Sequence, residues 1–107
     1  MPSIDHLTFS TEWLDPYEVR LTVSGSIDAA NAADLAAYVF RRGANSRRLV
    51  LDMTGVDFLS TAGFSILCTI GERCVRAGVD WELVSNPTVR RVVEICDPHR
   101  TLPLAAA

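Results

Sequence analysis

The segment from Leu49 to Gly71 constrains the fold of this chain more than any other. Its apolar run Leu49 to Leu51 has the pattern of a buried strand, and apolar residues at helical spacing begin directly after Ser60-Thr61-Ala62-Gly63. The short link places Ser60 and Thr61 at the N-terminus of the predicted helix, where the first backbone N–H groups lack partners within the helix. The helix dipole adds partial positive charge there, so this position suits a hydroxyl, a phosphate or a carboxylate.

The length and composition are those of one globular domain. The chain has 107 residues, of which 49% are apolar, so it can bury a core without metals or disulfides. Its formal charge of −3 comes without a block of like charges, and therefore neither nucleic acid nor a membrane is expected as a partner. We expect one domain over residues 1–107, with a core over about 4–97 and a loose tail over about 98–107.

The three cysteines, Cys68, Cys74 and Cys96, show no Cys-x-x-Cys spacing, which argues against a disulfide scaffold or a zinc site. They are typical of small residues in helix cores. A redox pair of Cys74 and Cys96, on two different predicted helices, is the alternative. The N-terminus lacks a signal-peptide pattern, and no apolar stretch approaches the roughly 20 residues of a membrane span. We therefore expect a reduced protein of the cytoplasm.

Period-2 patterns predict the strands. Ile4 to Ser10 is expected as the first strand, and Val79 to Val84 as the last. Tyr17 to Ser24 has the clearest alternation, which predicts a buried face and a wet face. The buried face is predicted to consist of Tyr17, Val19, Leu21 and Val23.

Helical spacing predicts three helices. Asp28 is expected as the N-cap of a helix over Ala29 to about Ala44. A second helix is expected from about Ala62 to Ala77, and the third is expected to begin at Asn86-Pro87. The core stripe of the first helix is predicted as Ala32, Leu35, Ala36 and Val39. That of the second is predicted as Ile66, Leu67, Ile70, Cys74 and Ala77.

The resulting order is β-β-α-β-α-β-α. It predicts an α/β fold: a mixed sheet of about four to five strands with helices packed against it. The short first connection favours an antiparallel pair, and the helical crossovers favour parallel neighbours.

Several residues of the central segment have two interpretations each. Thr61 fits a helix N-cap, a role that Ser60 would fill equally well. Gly63 fits either close packing against the sheet or close approach of a partner backbone. Phe64 fits either the core or an outward interface anchor.

Catalytic and metal-binding patterns are not found in the sequence. Asp28 and Asp52 could form a carboxylate pair, but a capping role and a strand-end role explain them better without a third ligand. His6 and His99 have no nucleophile or acid placed beside them. We expect no enzyme, no cofactor and no metal.

Four segments in this order resemble the STAS family of anti-sigma factor antagonists and their relatives over about residues 4 to 97. They are Gly25-Ser26-Ile27-Asp28-Ala29-Ala30, Leu49-Val50-Leu51-Asp52, Val56-Asp57-Phe58-Leu59-Ser60-Thr61-Ala62-Gly63, and Asn86-Pro87 with the helix that follows. The family motif is roughly Asp-Ser-Ser/Thr-Gly at the start of the second helix, and its first hydroxyl residue is the phosphoacceptor. Aligned on Gly63, the resemblance implies Thr61 as acceptor, with Ser60 as the alternative.

Two departures from the family pattern accompany this resemblance. Ser60 stands where the family has the acid before the acceptor, and Ala62 stands where it has a second hydroxyl. In the loop before the first helix, Asp28 is retained while Ser26 replaces a glutamate. The resemblance implies a partner-binding surface that includes Asp28, Ser60, Thr61, Gly63 and Phe64.

Two functional hypotheses follow from the resemblance. In the first, the chain is an anti-sigma factor antagonist: unphosphorylated, it binds an anti-sigma factor of the ATP-binding serine/threonine kinase type and releases a sigma factor. Phosphorylation at the start of the second helix turns it off. In the second, it is a STAS-like ligand-binding or scaffolding module that is independent of phosphorylation.

Overall fold

The structure is a computed structural model that describes residues 7–97 and 101–105. It contains four strands and three helices in the predicted order. They are β1 (Thr8–Trp13), β2 (Glu18–Ile27), α1 (Ala32–Gly43), β3 (Arg48–Leu59), α2 (Thr61–Ala77), β4 (Asp80–Val84) and α3 (Pro87–Cys96).

The four strands form one mixed sheet in the order β1-β2-β3-β4, which confirms the predicted α/β fold. β1 is antiparallel to β2, whereas β2, β3 and β4 run parallel. Ile27 at the end of β2 is paired with Leu59 at the end of β3. The loops that follow these two strands therefore leave the sheet side by side.

One face of the sheet and all three helices share a single apolar core. Val19, Leu21 and Leu51 are fully buried in the strands, and Leu35, Leu67 and Val89 cover them from α1, α2 and α3. Alternate positions on the other face carry charges, among them Arg20 and Asp52. Burial of the apolar face supplies the main driving force of this fold.

The first two strands differ from the prediction at their ends. β1 extends to Trp13, beyond the expected end at Ser10, while Ile4 to His6 of the expected strand lie outside the described residues. The prediction that Tyr17 is buried was wrong: 57% of its surface is exposed. The Asp15 carboxylate accepts the N–H groups of Tyr17 and Glu18 at 2.7 and 2.8 Å, which holds Tyr17 in the turn before β2.

β3 is longer than the predicted strand at Leu49 to Leu51 because two irregularities allow its pairing with β2 to continue. Gly25 has φ of 112°, a conformation that favours glycine. A Cβ on Gly55 would lie 2.4 Å from Ser24 Oγ, so the strands approach closely there. Pairing resumes beyond both glycines and ends at Ile27 and Leu59.

α1 begins at Ala32, so the predictions of a helix start at Ala29 and of Asp28 as its N-cap were wrong. The Asp28 carboxylate accepts the N–H groups of Ala30 and Asn31, and Asn31 Oδ1 accepts the Asp28 N–H. These local bonds compete with the helix and form a turn instead. The predicted core stripe is confirmed, since Ala32, Leu35, Ala36 and Val39 are its buried residues.

α2 ends at a Schellman motif, with Gly78 in the left-handed conformation at φ of 70°. The Gly78 N–H donates to the Val75 carbonyl and the Val79 N–H to the Cys74 carbonyl. Of the predicted core stripe, Leu67, Ile70 and Cys74 are buried. Ile66 is only half-buried, and the prediction for Ala77 was wrong, because Ala77 is exposed like the rest of the last turn.

α3 begins at Pro87 as expected, with Asn86 as its N-cap. Beyond it, residues 101–105 lie within the tail that was expected to be loose. Leu102 is buried in the core, and Leu104 pairs with Leu83 as a parallel bridge along β4. The helices of the described ranges include none that is both long and apolar enough to cross a membrane.

Candidate functional site

The start of α2 is fixed by Ser60, which is the N-cap of the helix. Its N–H donates to the Ile27 carbonyl at 2.9 Å, and its Oγ accepts the Gly63 N–H at 3.1 Å. Its backbone is extended, with φ of −80° and ψ of 171°, as an N-cap requires. Of the two hydroxyl residues considered for the cap, the structure therefore assigns this role to Ser60.

Thr61 is the first helical residue of α2, and its side chain is exposed. The sequence-based expectation that it lies at a helix N-terminus is thus met by the geometry. α2 has 17 residues and no acidic residue in its first turn. A negative group on Thr61 would be favoured by the helix dipole without competition from a neighbouring carboxylate of the same turn.

The Asp28 turn lies beside the start of α2. Ser60 is hydrogen-bonded to Ile27, the residue directly before Asp28, so the two loops are joined at the end of the sheet. Asp28 is half-buried, and its carboxylate accepts the N–H groups of Ala30 and Asn31 within the turn. Asn31 Nδ2 also donates to the Ser26 carbonyl at 2.8 Å. Side-chain hydrogen bonds, together with the bond from the Ala32 N–H to the Asp28 carbonyl at 2.9 Å, therefore shape this loop. Ala29 and Ala30 at its tip are exposed.

Asp57 and Phe58 are two exposed residues of this region that the sequence patterns did not predict as part of the site. Asp57 Oδ1 accepts the Ser26 hydroxyl at 2.8 Å, which links β3 to the residue that replaces the family glutamate. Phe58 is paired with Ser26 in register, and 51% of its surface is exposed. Gly25 and Gly55 were the available signal, because a glycine within a strand pattern indicates a bulge that changes which side chains point outward.

Gly63 is buried against the ends of β2 and β3. A Cβ at this position would lie 2.6 Å from Leu59 Cδ1 and 2.7 Å from Ile27 Cγ2. Between the two interpretations of this glycine, packing against the sheet accounts for it fully. Phe64, the next residue, is half-buried and packs against the core cluster rather than projecting freely.

Asp52 lies away from this surface. It is paired in register with Thr22, six residues before Asp28, and it binds Arg20 and Thr54. Burial alone would raise the pKa of Asp52, but hydrogen bonds from Thr54 and the Arg20 guanidinium outweigh it and lower the pKa below its ordinary value of 3.8. Asp28 and Asp52 thus do not form a carboxylate pair. Within residues 7–97 and 101–105, no cluster of three His, Cys, Asp or Glu side chains is suited to a metal ion.

The three cysteines are free thiols. Cys74 is buried, and its burial raises its pKa. Burial also raises the pKa of Cys68, with smaller contributions from Asp97, Glu72 and Cys96. The redox pair of Cys74 and Cys96 stays a prediction. A raised pKa reduces the thiolate fraction on which thiol reactivity depends. His6 and His99 lie outside the described residues.

Comparison with known proteins identifies the family to which this chain is similar. The family model described as STAS domain matches residues 15–106. The anti-sigma-F factor antagonist RsfA of Mycobacterium tuberculosis (strain ATCC 25618 / H37Rv) is 34% identical over 90 residues, which cover 80% of this chain and 70% of the relative. Osmosensory protein A of the same strain is 41% identical over 69 residues, covering 64% of this chain. The match spans only 44% of that relative, so its whole-protein activity does not follow from it.

Solved structures show the same fold. An anti-sigma factor antagonist from Mycobacterium paratuberculosis superimposes with a TM-score of 0.85 and 27% identity, covering 100% of this chain and 92% of the other. The anti-sigma factor antagonist SpoIIAA in its unphosphorylated form gives a TM-score of 0.73 at 15% identity, covering 92% and 89% of the two chains, which supports the fold alone. With a family model that spans most of its length and a relative 34% identical over 80% of it, this chain belongs to the STAS domain family.

Proposed function

We propose that this protein is an anti-sigma factor antagonist, a regulatory binding protein rather than an enzyme. Its unphosphorylated form binds an anti-sigma factor through the surface around the start of α2, and a sigma factor is released as a result. The proposal rests mainly on the position of Thr61. Its hydroxyl is exposed on the first turn of a 17-residue helix, beside the Asp28 turn. The relatives named anti-sigma factor antagonists support the choice of partner class.

The proposed partner is an anti-sigma factor of the ATP-binding serine/threonine kinase type, which also phosphorylates Thr61. The kinase supplies the nucleotide and the magnesium ion, and this chain requires no cofactor of its own. Both proteins then work in the cytoplasm, where sigma factors direct transcription. The binding surface in this proposal combines Thr61 and Asp28 with the exposed Asp57 and Phe58.

The switch operates by blocking contact rather than by unfolding. A phosphate adds a charge of about −1.5 to −2. On the first turn of α2 this charge is compatible with the helix dipole, so the fold is kept. The added volume and charge instead prevent a partner surface from approaching the start of α2, where Asp28 and Asp57 already supply two acidic groups.

Phosphosite mapping tests the proposed acceptor. Protein is incubated with ATP and a lysate of its native cells, and phosphopeptides are identified by tandem mass spectrometry. We expect phosphate on Thr61, with none at that position in Thr61→Ala. Thr69→Ala is the matched control, since Thr69 is also exposed on α2 and its loss should leave the modification unchanged. Phosphate on Ser60 alone would move the switch by one residue, and no phosphate on either would contradict it.

A second candidate is a STAS-like ligand-binding or scaffolding module without phosphorylation control. It is favoured by the use of the Ser60 hydroxyl as a helix cap, in place of the family acid, and by Ala62, which packs against the core where the family has a second hydroxyl. This candidate predicts that partner or ligand binding is the same for wild type and Thr61→Glu.

A further inference from the structure

The two edges of the sheet differ in whether another segment of the described chain covers them. At the β4 edge, the segment Pro103–Ala105 covers Leu83: the Leu83 N–H donates to the Pro103 carbonyl and the Ala105 N–H to the Leu83 carbonyl, each at 2.9 Å. At the other edge, β1 pairs only with β2 within the described part of the chain. Every second backbone N–H and C=O along β1 therefore points outward.

β1 has few of the features that normally prevent an exposed edge from pairing. Its register with β2 runs without a shift from Thr8↔Ser24 to Trp13↔Val19, so no bulge twists the edge away. Its sequence, Thr-Phe-Ser-Thr-Glu-Trp, contains no proline and no lysine or arginine, and Glu12 is its only charge. A strand edge of this kind is a ready template for another strand.

Large apolar side chains at the end of β1 are exposed to solvent. Trp13 is 46% exposed at the end of β1, and Leu14 directly after it is 49% exposed. On the same strand, Phe9 stacks on Tyr38 with ring centroids 4.5 Å apart, so the face of β1 toward α1 carries an aromatic surface at both ends. These exposed apolar side chains lie next to backbone groups that can pair with another strand, so the two features together favour an interaction surface.

We infer that β1 pairs antiparallel with β1 of a second copy of this chain, about a two-fold axis at Thr11. This register is self-complementary. It sets Phe9 of each copy opposite Trp13 of the other, which is a favourable cross-strand aromatic pair. It also sets Ser10 opposite Glu12, so each carboxylate meets a hydroxyl and no two like charges face each other. Closed two-fold pairing of identical strand edges is the expected form of such an interface.

The inferred dimer is compatible with the proposed function and does not depend on it. β1 is antiparallel to β2, so Trp13 lies beside Val19 at the start of β2, whereas Thr61 follows the far end of the sheet at Ile27 and Leu59. Pairing of the edges therefore leaves the start of α2 open. A six-residue strand forms a small interface, so we expect a weak dimer with a dissociation constant in the micromolar to millimolar range.

Sedimentation equilibrium of the full chain over increasing protein concentration tests the dimer. Ser10→Glu places a second carboxylate opposite Glu12 twice in each dimer, and we expect it to weaken association by about tenfold. Ser10→Lys places a cation there and should associate at least as tightly as wild type. Thr69→Glu adds the same charge on an exposed position of α2 and should change nothing. Both positions are exposed, and circular dichroism checks that each of the three variants is folded.

Hydrogen exchange supplies a second measurement. In the dimer, β1 amides become more protected as protein concentration rises, and Ser10→Glu or Trp13→Ser shifts this dependence to higher concentration. A wild type that remains monomeric up to millimolar concentration would overturn the inference, as would a dimer that Ser10→Glu and Trp13→Ser leave intact. Neither result would bear on the Thr61 switch, because Thr61→Glu is expected to leave association unchanged.

Discussion

Gly63 lies where even the Cβ atom of an alanine would crowd its neighbours. Alanine favours a helix by about 1 kcal/mol over glycine, but overpacking a core costs about 1–3 kcal/mol. The Cβ of Gly63→Ala would meet Leu59 and Ile27 at 2.6 and 2.7 Å, and both neighbours are buried. We expect a net loss of about 1 kcal/mol in the free energy of unfolding, measured by urea denaturation.

Gly71→Ala is the matched control for this prediction. It lies on the same helix, but the three atoms nearest to its Cβ would all belong to the ring of the half-buried Trp81, the closest at 3.0 Å. The helix propensity gain should then offset the crowding, and stability should not fall. An equal loss in both variants would show that the packing explanation of Gly63 is wrong.

Phe58 is expected to anchor the partner. Truncation of an exposed aromatic at the centre of an interface commonly costs about 2 kcal/mol, which is more than a tenfold loss of affinity. We expect Phe58→Ala to weaken binding of the anti-sigma factor by at least this factor, measured by titration calorimetry, with the fold unchanged. Val75→Ala removes a more exposed apolar group near the C-terminal end of α2 and should bind normally. Equal effects of the two changes would exclude Phe58 as a specific contact.

At the scale of the elements, two helices are held by N-caps of unequal strength. Ser60 gives one capping bond to α2, so Ser60→Ala should cost about 1 kcal/mol of stability. Asn86 accepts the Val89 N–H at 2.8 Å and also donates to the Thr54 and Val56 carbonyls at 2.9 and 2.6 Å. Asn86→Ala therefore loses a cap and the link between α3 and β3, and we expect about 2 kcal/mol. Denaturation midpoints in the reverse order would contradict this assignment.

The pair of β2 and β3 predicts an acid dependence of stability through Asp52. Its pKa is lower in the folded chain than the ordinary value of 3.8, so the unfolded chain binds more protons in this range. The stabilisation from Asp52 is present above the unfolded pKa and is lost as pH falls through the folded pKa. We expect the wild type to lose stability in acid more steeply than Asp52→Asn, in urea denaturation at successive pH values. Parallel pH profiles would show that the interactions with Arg20 and Thr54 contribute nothing.

The elements also show where sequence patterns are sufficient and where they are not. The stripe of α1 from Ala32 to Val39 follows from helical spacing alone, since it depends only on which face is buried. The start of this helix does not, because Asp28 and Asn31 bond to each other's backbone and delay it. Capping residues compete with each other locally, and composition cannot decide between them.

Across the whole molecule, the sequence patterns predicted the order of elements, the mixed sheet and the position of Thr61 at a helix start. They did not predict the exposure of Phe58. The register shifts after Thr22 and Gly25 change the face to which later residues of the strands point, and a strict alternation misses this change. The surface around the start of α2 was therefore only partly predictable: the residues of the motif were found, and those placed by the bulged strands were not.

The overall arrangement separates two surfaces. The start of α2, the Asp28 turn and Phe58 lie at the end of the sheet where β2 and β3 finish. The open edge of β1 ends at Trp13, beside the start of β2. The proposed binding of a regulator and the inferred pairing of two copies therefore use different parts of the molecule, and different substitutions should alter each.

The most direct test of the central claim is the affinity of the anti-sigma factor for wild type and Thr61→Glu. The partner is first captured from native lysate, identified by mass spectrometry and purified, and binding is then titrated. We predict that Thr61→Glu binds at least tenfold more weakly while it unfolds at the same or a higher urea concentration, because the added charge suits the helix N-terminus. Equal affinity of the two proteins would contradict the switch and would favour a STAS module that binds independently of phosphorylation.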